Sequence, residues 1–259
     1  MTVTDAMCDE SAAASRLTEA ARHVVPRVRE RAREMELARR LDDDLVADMD
    51  AAGLFSILVP RCWGGPGLGT HELNTVVELI SHGDVSTAWV TGFYNLHNWL
   101  LCRFPRPVQE ELYADRTSVL AAAVLQRPGV AEHVAGGYRV TGTWGYATGI
   151  LHGSHALVPA VCDDVMSWCL VEREQLEVLD DWDVAAMSAT GSVTIAADAV
   201  FVPDARAMPV DRLLHPTGHP GNFHDHDTYR LPFSALAVCT ASIYVGALDA
   251  GVELARERL

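Results

Sequence analysis

Two stretches of this 259-residue chain carry side chains whose type and spacing suit chemistry. In Gly142-Thr143-Trp144-Gly145-Tyr146-Ala147-Thr148-Gly149, aromatic and hydroxyl residues alternate with small ones. On a strand, the two-residue period puts Trp144, Tyr146 and Thr148 on one face. Two rings and a hydroxyl suit a flat heteroaromatic ligand that stacks on a ring and takes a hydrogen bond at its edge. The same spacing describes ordinary packing on a half-buried strand, and spacing alone favours packing. The second stretch is Gly92-Phe93-Tyr94-Asn95-Leu96-His97-Asn98. Here Trp89, Phe93, Leu96 and Leu100 form an apolar stripe at helical spacing, with His97 beside it, one turn from both Phe93 and Leu101. Imidazole titrates near neutrality and can donate to a peroxide oxygen or take a phenolic proton. A core histidine bonded to backbone is the alternative.

Other clusters suit less. His215, His219, His224 and His226, with Asp225 and Asp227, contain metal-ligating types. Their Pro- and Gly-rich surroundings lack the rigid outer shell a metal needs, so a solvated loop and no metal are expected. Asp180, Asp181 and Asp183 read as a solvated turn with Trp182 buried. Gly64-Gly65-Pro66-Gly67 lacks the lysine of a phosphate cradle, and neither Ser154 nor Ser192 sits on a nucleophile elbow.

Composition excludes whole classes of function. With 20 basic against 35 acidic residues, net charge −15, and no basic stripe, the chain is a poor partner for nucleic acid or anionic membrane. A 49% hydrophobic and 21% charged composition is globular. Cys8, Cys62, Cys102, Cys162, Cys169 and Cys239 are scattered, with no C-x-x-C pair, and read as reduced thiols of a cytoplasmic protein. The N-terminus lacks the basic and apolar regions of a secretory signal. The uncharged run 231–248 approaches spanning length. Pro232, its small polar residues and the charged segment that follows make it a buried helix, so no membrane is expected.

Three zones position these residues. Residues 1–116 are helical, with Pro26 expected to break or kink the first helix, an Asp-capped helix near 42–52, an extended run 54–60, and helices over 71–82 and 86–104. Residues 117–212 hold short Val-rich or alternating runs, with a hairpin turn at Gly136-Gly137, and form a β-domain. Residues 213–259 comprise a His-, Pro- and Gly-rich link and a helix from Phe233. The fold class is α+β. The last helix still shows an apolar period at the end of the chain, with nothing after it to pack against, so either a partner supplies that surface or residues are missing.

Ala52-Gly53-Leu54-Phe55 followed by Leu58-Val59-Pro60-Arg61-Cys62-Trp63-Gly64-Gly65 resembles a signature of the acyl-CoA dehydrogenase superfamily. Asp84-Val85-Ser86-Thr87-Ala88-Trp89-Val90, the run from Gly136 through Trp144, Asp181-Trp182-Asp183-Val184 and Val200-Phe201-Val202-Pro203 match in order. The pattern is most similar to the two-component (group D) flavin-dependent monooxygenases. The resemblance implies an N-terminal helical domain, a central β-barrel-like domain and a C-terminal helical bundle, only the start of which is here. It implies FMN or FAD used in reduced form, a separate flavin reductase, a homo-oligomer if the bundle is supplied, and hydroxylation of an aromatic or other electron-rich small molecule through a C4a-hydroperoxyflavin. It turns the reading of the aromatic strand toward flavin binding. It places Thr148 near flavin N5, Tyr146 and Trp144 beside the ring, Gln126 near its pyrimidine side, and His97 at the oxygen-reaction site. An FAD-dependent acyl-CoA dehydrogenase is a second reading. It needs a carboxylate base that the family commonly draws from the bundle, and Gln126-Arg127-Pro128-Gly129 fits its flavin strand poorly. A non-catalytic subunit completed by a partner chain is a third.

Overall fold

The computed structural model describes residues 3–224, 226–236 and 238–258. Its helices are α1 (Val3–Ala38), α2 (Asp43–Ala51), α3 (Thr70–Ser81), α4 (Val85–Leu101), α5 (Arg106–Leu112), α6 (Val210–Leu214), α7 (Phe233–Leu236) and α8 (Val238–Glu257). Between α5 and α6 lie strands β1 (Ala121–Ala123), β2 (Gly129–Val134), β3 (Gly137–Trp144), β4 (His155–Cys162), β5 (Val165–Glu172), β6 (Glu177–Val178), β7 (Ile195–Pro203) and β8 (Ala207–Pro209). The sheet runs β6-β7-β3-β2-β4-β5-β8, with β1 parallel to β4. The expected helical, sheet and helical order of an α+β chain is present.

Several local expectations need correction. Helix α1 continues through Pro26, because Ala21, Val28 and Met35 on either side are buried and hold it against the core. A lost backbone bond is tolerated where packing supplies most of the helix's stability. Residues 54–59 are buried turns rather than an extended run. Their backbone is claimed by α4, where Asn95 accepts from the Ile57 amide and donates to the Leu54 carbonyl, and Asn98 donates to Phe55. Side-chain amides thus replace the partners a strand would provide. The hairpin turn is Ala135-Gly136, one residue earlier than expected, since Val134 pairs with Gly137.

Helix α4 is buried nearly all round, so its apolar stripe is one part of a central helix. Helix α8 lies along α3 and α4 through Cys239, Ile243, Gly246 and Ala250. At Gly246 a Cβ would fall 2.2 Å from the Glu78 carbonyl oxygen, so the absent side chain is what lets the helices approach. One face of the last helix is thus covered by elements that precede it in the chain. It is also only partly a buried helix, because Tyr244, Val245 and Leu248 remain exposed. By length and composition alone, the stretch Phe233–Glu257 that includes it is the one candidate membrane span among the described residues.

Candidate active site

Between α4, the end of β3 and the segment before β7 lies a cavity of about 370 Å³. That is within the range of small-ligand pockets. Trp89, Phe93 and Tyr244 form its helical wall. Ala123, Leu125 and Gln126 enter from the end of β1, Tyr146 and Thr148 from the turn after β3, and Trp182, Met187, Thr190 and Ser192 close the far side. The rings are arranged by contact. Trp89 stacks on Phe93 with centroids 4.8 Å apart, and Tyr146 meets Trp182 edge-on at 5.6 Å.

Of the strand residues singled out from sequence, the structure brings Tyr146, Thr148 and Gln126 together at this cavity and sends Trp144 elsewhere. The expectation of one shared face fails because β3 ends at Trp144. Tyr146 adopts a left-handed backbone, φ +60°, which breaks the two-residue alternation. The Ala147 amide then bonds the Val193 carbonyl, and the Thr148 amide turns back to Tyr146. Trp144 is buried in the sheet's own core, its Nε1 donating to the Pro159 carbonyl at 3.1 Å. The Tyr146 side lies 63% exposed at the cavity, whereas Thr148 is buried.

Thr148 Oγ1 lies 2.8 Å from Ser192 Oγ, which lies 2.9 Å from Thr190 Oγ1. Thr190 in turn donates to the Met187 carbonyl at 2.9 Å. Met187 has a left-handed backbone, φ +57°, at the start of a short turn over Ser188–Thr190. Sequence reasoning did not single out Ser192 for this role, nor Thr190, Met187, Trp89, Phe93 or Tyr244. Trp89 and Phe93 were marked only as part of an apolar stripe, and no local signal marks Met187, Thr190 or Ser192, because tertiary packing alone brings residues 187–192 against the turn after β3.

His97 is fully buried one turn beyond Phe93, against which its ring packs edge-on at 5.5 Å. Its Nδ1 donates to the Ala121 carbonyl on β1 at 2.6 Å. Burial pulls its pKa down to about 4, only partly opposed by that bond. At neutral pH it is an uncharged imidazole with its proton on Nδ1. It stands behind the aromatic wall and is not among the residues lining the cavity.

The acyl-CoA dehydrogenase N-terminal domain matches residues 11–117. A pigment production hydroxylase of a Rhodococcus species is 35% identical over 245 residues, covering 91% of this chain and 63% of that protein. The oxygenase subunit HsaA, a flavin-dependent monooxygenase of Rhodococcus jostii, is 31% identical over 241 residues, covering 89% and 63%. The solved structure of XiaF from a Streptomyces species, in complex with FADH2 and glycerol, superposes with a TM-score of 0.90 at 30% identity, covering 98% of this chain and 66% of that one. The chain belongs to the acyl-CoA dehydrogenase superfamily. It spans about two thirds of the length of these relatives.

Within this superfamily member, the His-rich link after α6 is docked rather than solvated, which corrects the expectation. Arg103 is buried and stacks over Trp99 at 3.6 Å. It donates to the carbonyls of Leu213, Tyr229 and Leu231. His219 donates to the Tyr229 carbonyl, and His224 Nε2 lies 2.7 Å from Gln109 Oε1. Among the described residues there is no group of three or more side chains placed to hold a metal ion. Asp225 lies outside them. Trp182 is only half-buried, its ring forming a cavity wall. The five cysteines whose side chains are described, Cys62, Cys102, Cys162, Cys169 and Cys239, are free thiols.

Proposed function

We propose that this chain is the flavin-binding part of an oxygenase component that hydroxylates an aromatic or other electron-rich small molecule. The observation that carries the reading is the convergence, at one cavity, of an accessible tyrosine ring, a buried threonine hydroxyl and the Gln126 amide, facing an aromatic wall. A flat ring with polar edges fits that donor set. In this reading Tyr146 meets the face of FMN or FAD, Thr148 its N5 edge and Gln126 its pyrimidine edge. Trp144 contributes only by holding β3 in the sheet. Bound reduced flavin supplies the electrons that activate dioxygen.

The aromatic wall of Trp89, Phe93 and Trp182 keeps water from the reacting edge. The resemblance assigns proton transfer to His97: its Nδ1 is anchored on Ala121, which leaves Nε2 for that role, and because the ring stands behind Phe93 and does not line the cavity it acts there only through a group that does. The reading includes a separate flavin reductase, the cytoplasm as location, a homo-oligomer, and the division at residues 116 and 212.

The test supplies the chain with a flavin reductase, flavin, a nicotinamide reductant and a panel of phenols under isotopically heavy dioxygen. The expected product carries one heavy oxygen atom. Release of peroxide alone with every phenol, while flavin binds, would refute the hydroxylase assignment.

A further inference from the structure

The hydroxyl chain behind Thr148 has a direction. A hydroxyl has one hydrogen to give, and a carbonyl oxygen only accepts. Thr190 gives its hydrogen to the Met187 carbonyl. At 2.9 Å from Ser192 Oγ, Thr190 Oγ1 can then only accept, so Ser192 is the donor between them. Ser192 has thereby spent its own hydrogen. At 2.8 Å from Thr148, its oxygen takes the Thr148 hydrogen. The series ends with Thr148 Oγ1 presenting lone pairs, and no hydrogen, to the cavity that it lines.

All three hydroxyl residues are largely buried and bonded to one another, so the order is set by these bonds rather than by water. Reversing it would leave two acceptors facing each other or strip the Met187 carbonyl of its side-chain donor. The left-handed backbone of Met187 sets that carbonyl at the head of the series. A non-glycine residue in this conformation is strained, and the strain persists where the surroundings impose it.

We propose that Ser192 and Thr190 are positioning residues that fix Thr148 as a hydrogen-bond acceptor and so make the cavity select reduced over oxidised flavin. The proposal rests on the flavin reading above. N5 of reduced flavin carries a hydrogen and donates, whereas N5 of oxidised flavin has only a lone pair and accepts. An acceptor held at that edge bonds the first and opposes the second.

The experiment measures dissociation constants of the full chain for FMN and FAD in both redox states, anaerobically for the reduced form. Ser192→Ala frees the Thr148 hydroxyl to turn and donate, so the ratio of oxidised to reduced dissociation constants is expected to fall about tenfold, the size of one hydrogen bond. Thr190→Val is expected to lower it in the same direction, and Ser192→Thr, which keeps the hydroxyl, to preserve it. A merely structural role would weaken both redox states together and leave the ratio unmoved. That result, with flavin still bound, overturns the relay while sparing the flavin reading. Absence of binding in either redox state by the folded wild-type chain overturns both.

Discussion

Tyr94 donates its hydroxyl to the carbonyl oxygen of Gly149 at 2.6 Å, tying the buried face of α4 to the turn that carries Thr148. Both walls of the cavity are therefore set by one contact between helix and sheet. Gly149 has φ +81°, and a Cβ there would lie 2.6 Å from the Tyr94 ring. Tyr94→Phe removes one of the two bonds to the Gly149 carbonyl, which keeps the His152 amide, and is expected to cost about 1 kcal/mol in denaturant unfolding. Gly149→Ala combines a strained backbone with a clash and is expected to cost more than Tyr94→Phe. Equal stability of both variants and the wild-type chain would show that the contact does not hold the turn.

Trp144 and Tyr146 are two residues apart, and opposite consequences are expected of them. Trp144→Phe removes the bond to Pro159 and leaves a void, costing about 2–3 kcal/mol while the affinity for flavin is unchanged. Tyr146→Ala removes an exposed ring and is expected to change stability by less than about 0.5 kcal/mol while weakening flavin binding. Unfolding curves and flavin titrations on the two variants separate the roles.

Burial also predicts how stability depends on pH. It brings His97 and His155 down to about 4 in the folded chain, and His219 and His224 likewise. Unfolded, each returns to the ordinary value of about 6.5. Between these values the unfolded chain binds more protons, so stability is full above about pH 6.5 and is lost as pH falls toward about 4. For His97 alone the loss at about pH 5 is about 2 kcal/mol. Urea midpoints at about pH 7 and about pH 5 check this, with His97→Asn expected to lose less stability between the two than the wild-type chain. An equal loss in the variant would assign the effect to other groups.

How far the sequence disclosed the site depends on the range of the interactions involved. Helices α2, α3 and α4 were legible because their caps and apolar spacing are local, as in the Asp42 side chain that accepts from the Leu45 amide. The sheet residues were legible as short alternating runs, and Tyr146, Thr148 and Gln126 through family resemblance. The fate of Trp144 was not, because a single left-handed residue at Tyr146 ends the alternation, and tyrosine carries no sequence mark of that conformation. The docked His-rich link was hidden for a different reason. Its anchor, Arg103, lies more than a hundred residues earlier and bonds only backbone carbonyls, which have no sequence signature. The hydroxyls of Thr190 and Ser192 escaped in the same way, since their partner is Thr148.

The central claim is that the cavity between α4 and the end of β3 is a reduced-flavin site. Anaerobic titration of the full chain with reduced FMN and FAD, beside the Thr148→Val variant, tests it most directly. The account predicts saturable binding of one flavin per chain, weakened about tenfold by the substitution, which keeps the shape of threonine and removes its hydroxyl. No saturable binding by the folded chain, or binding that Thr148→Val leaves untouched, would contradict it.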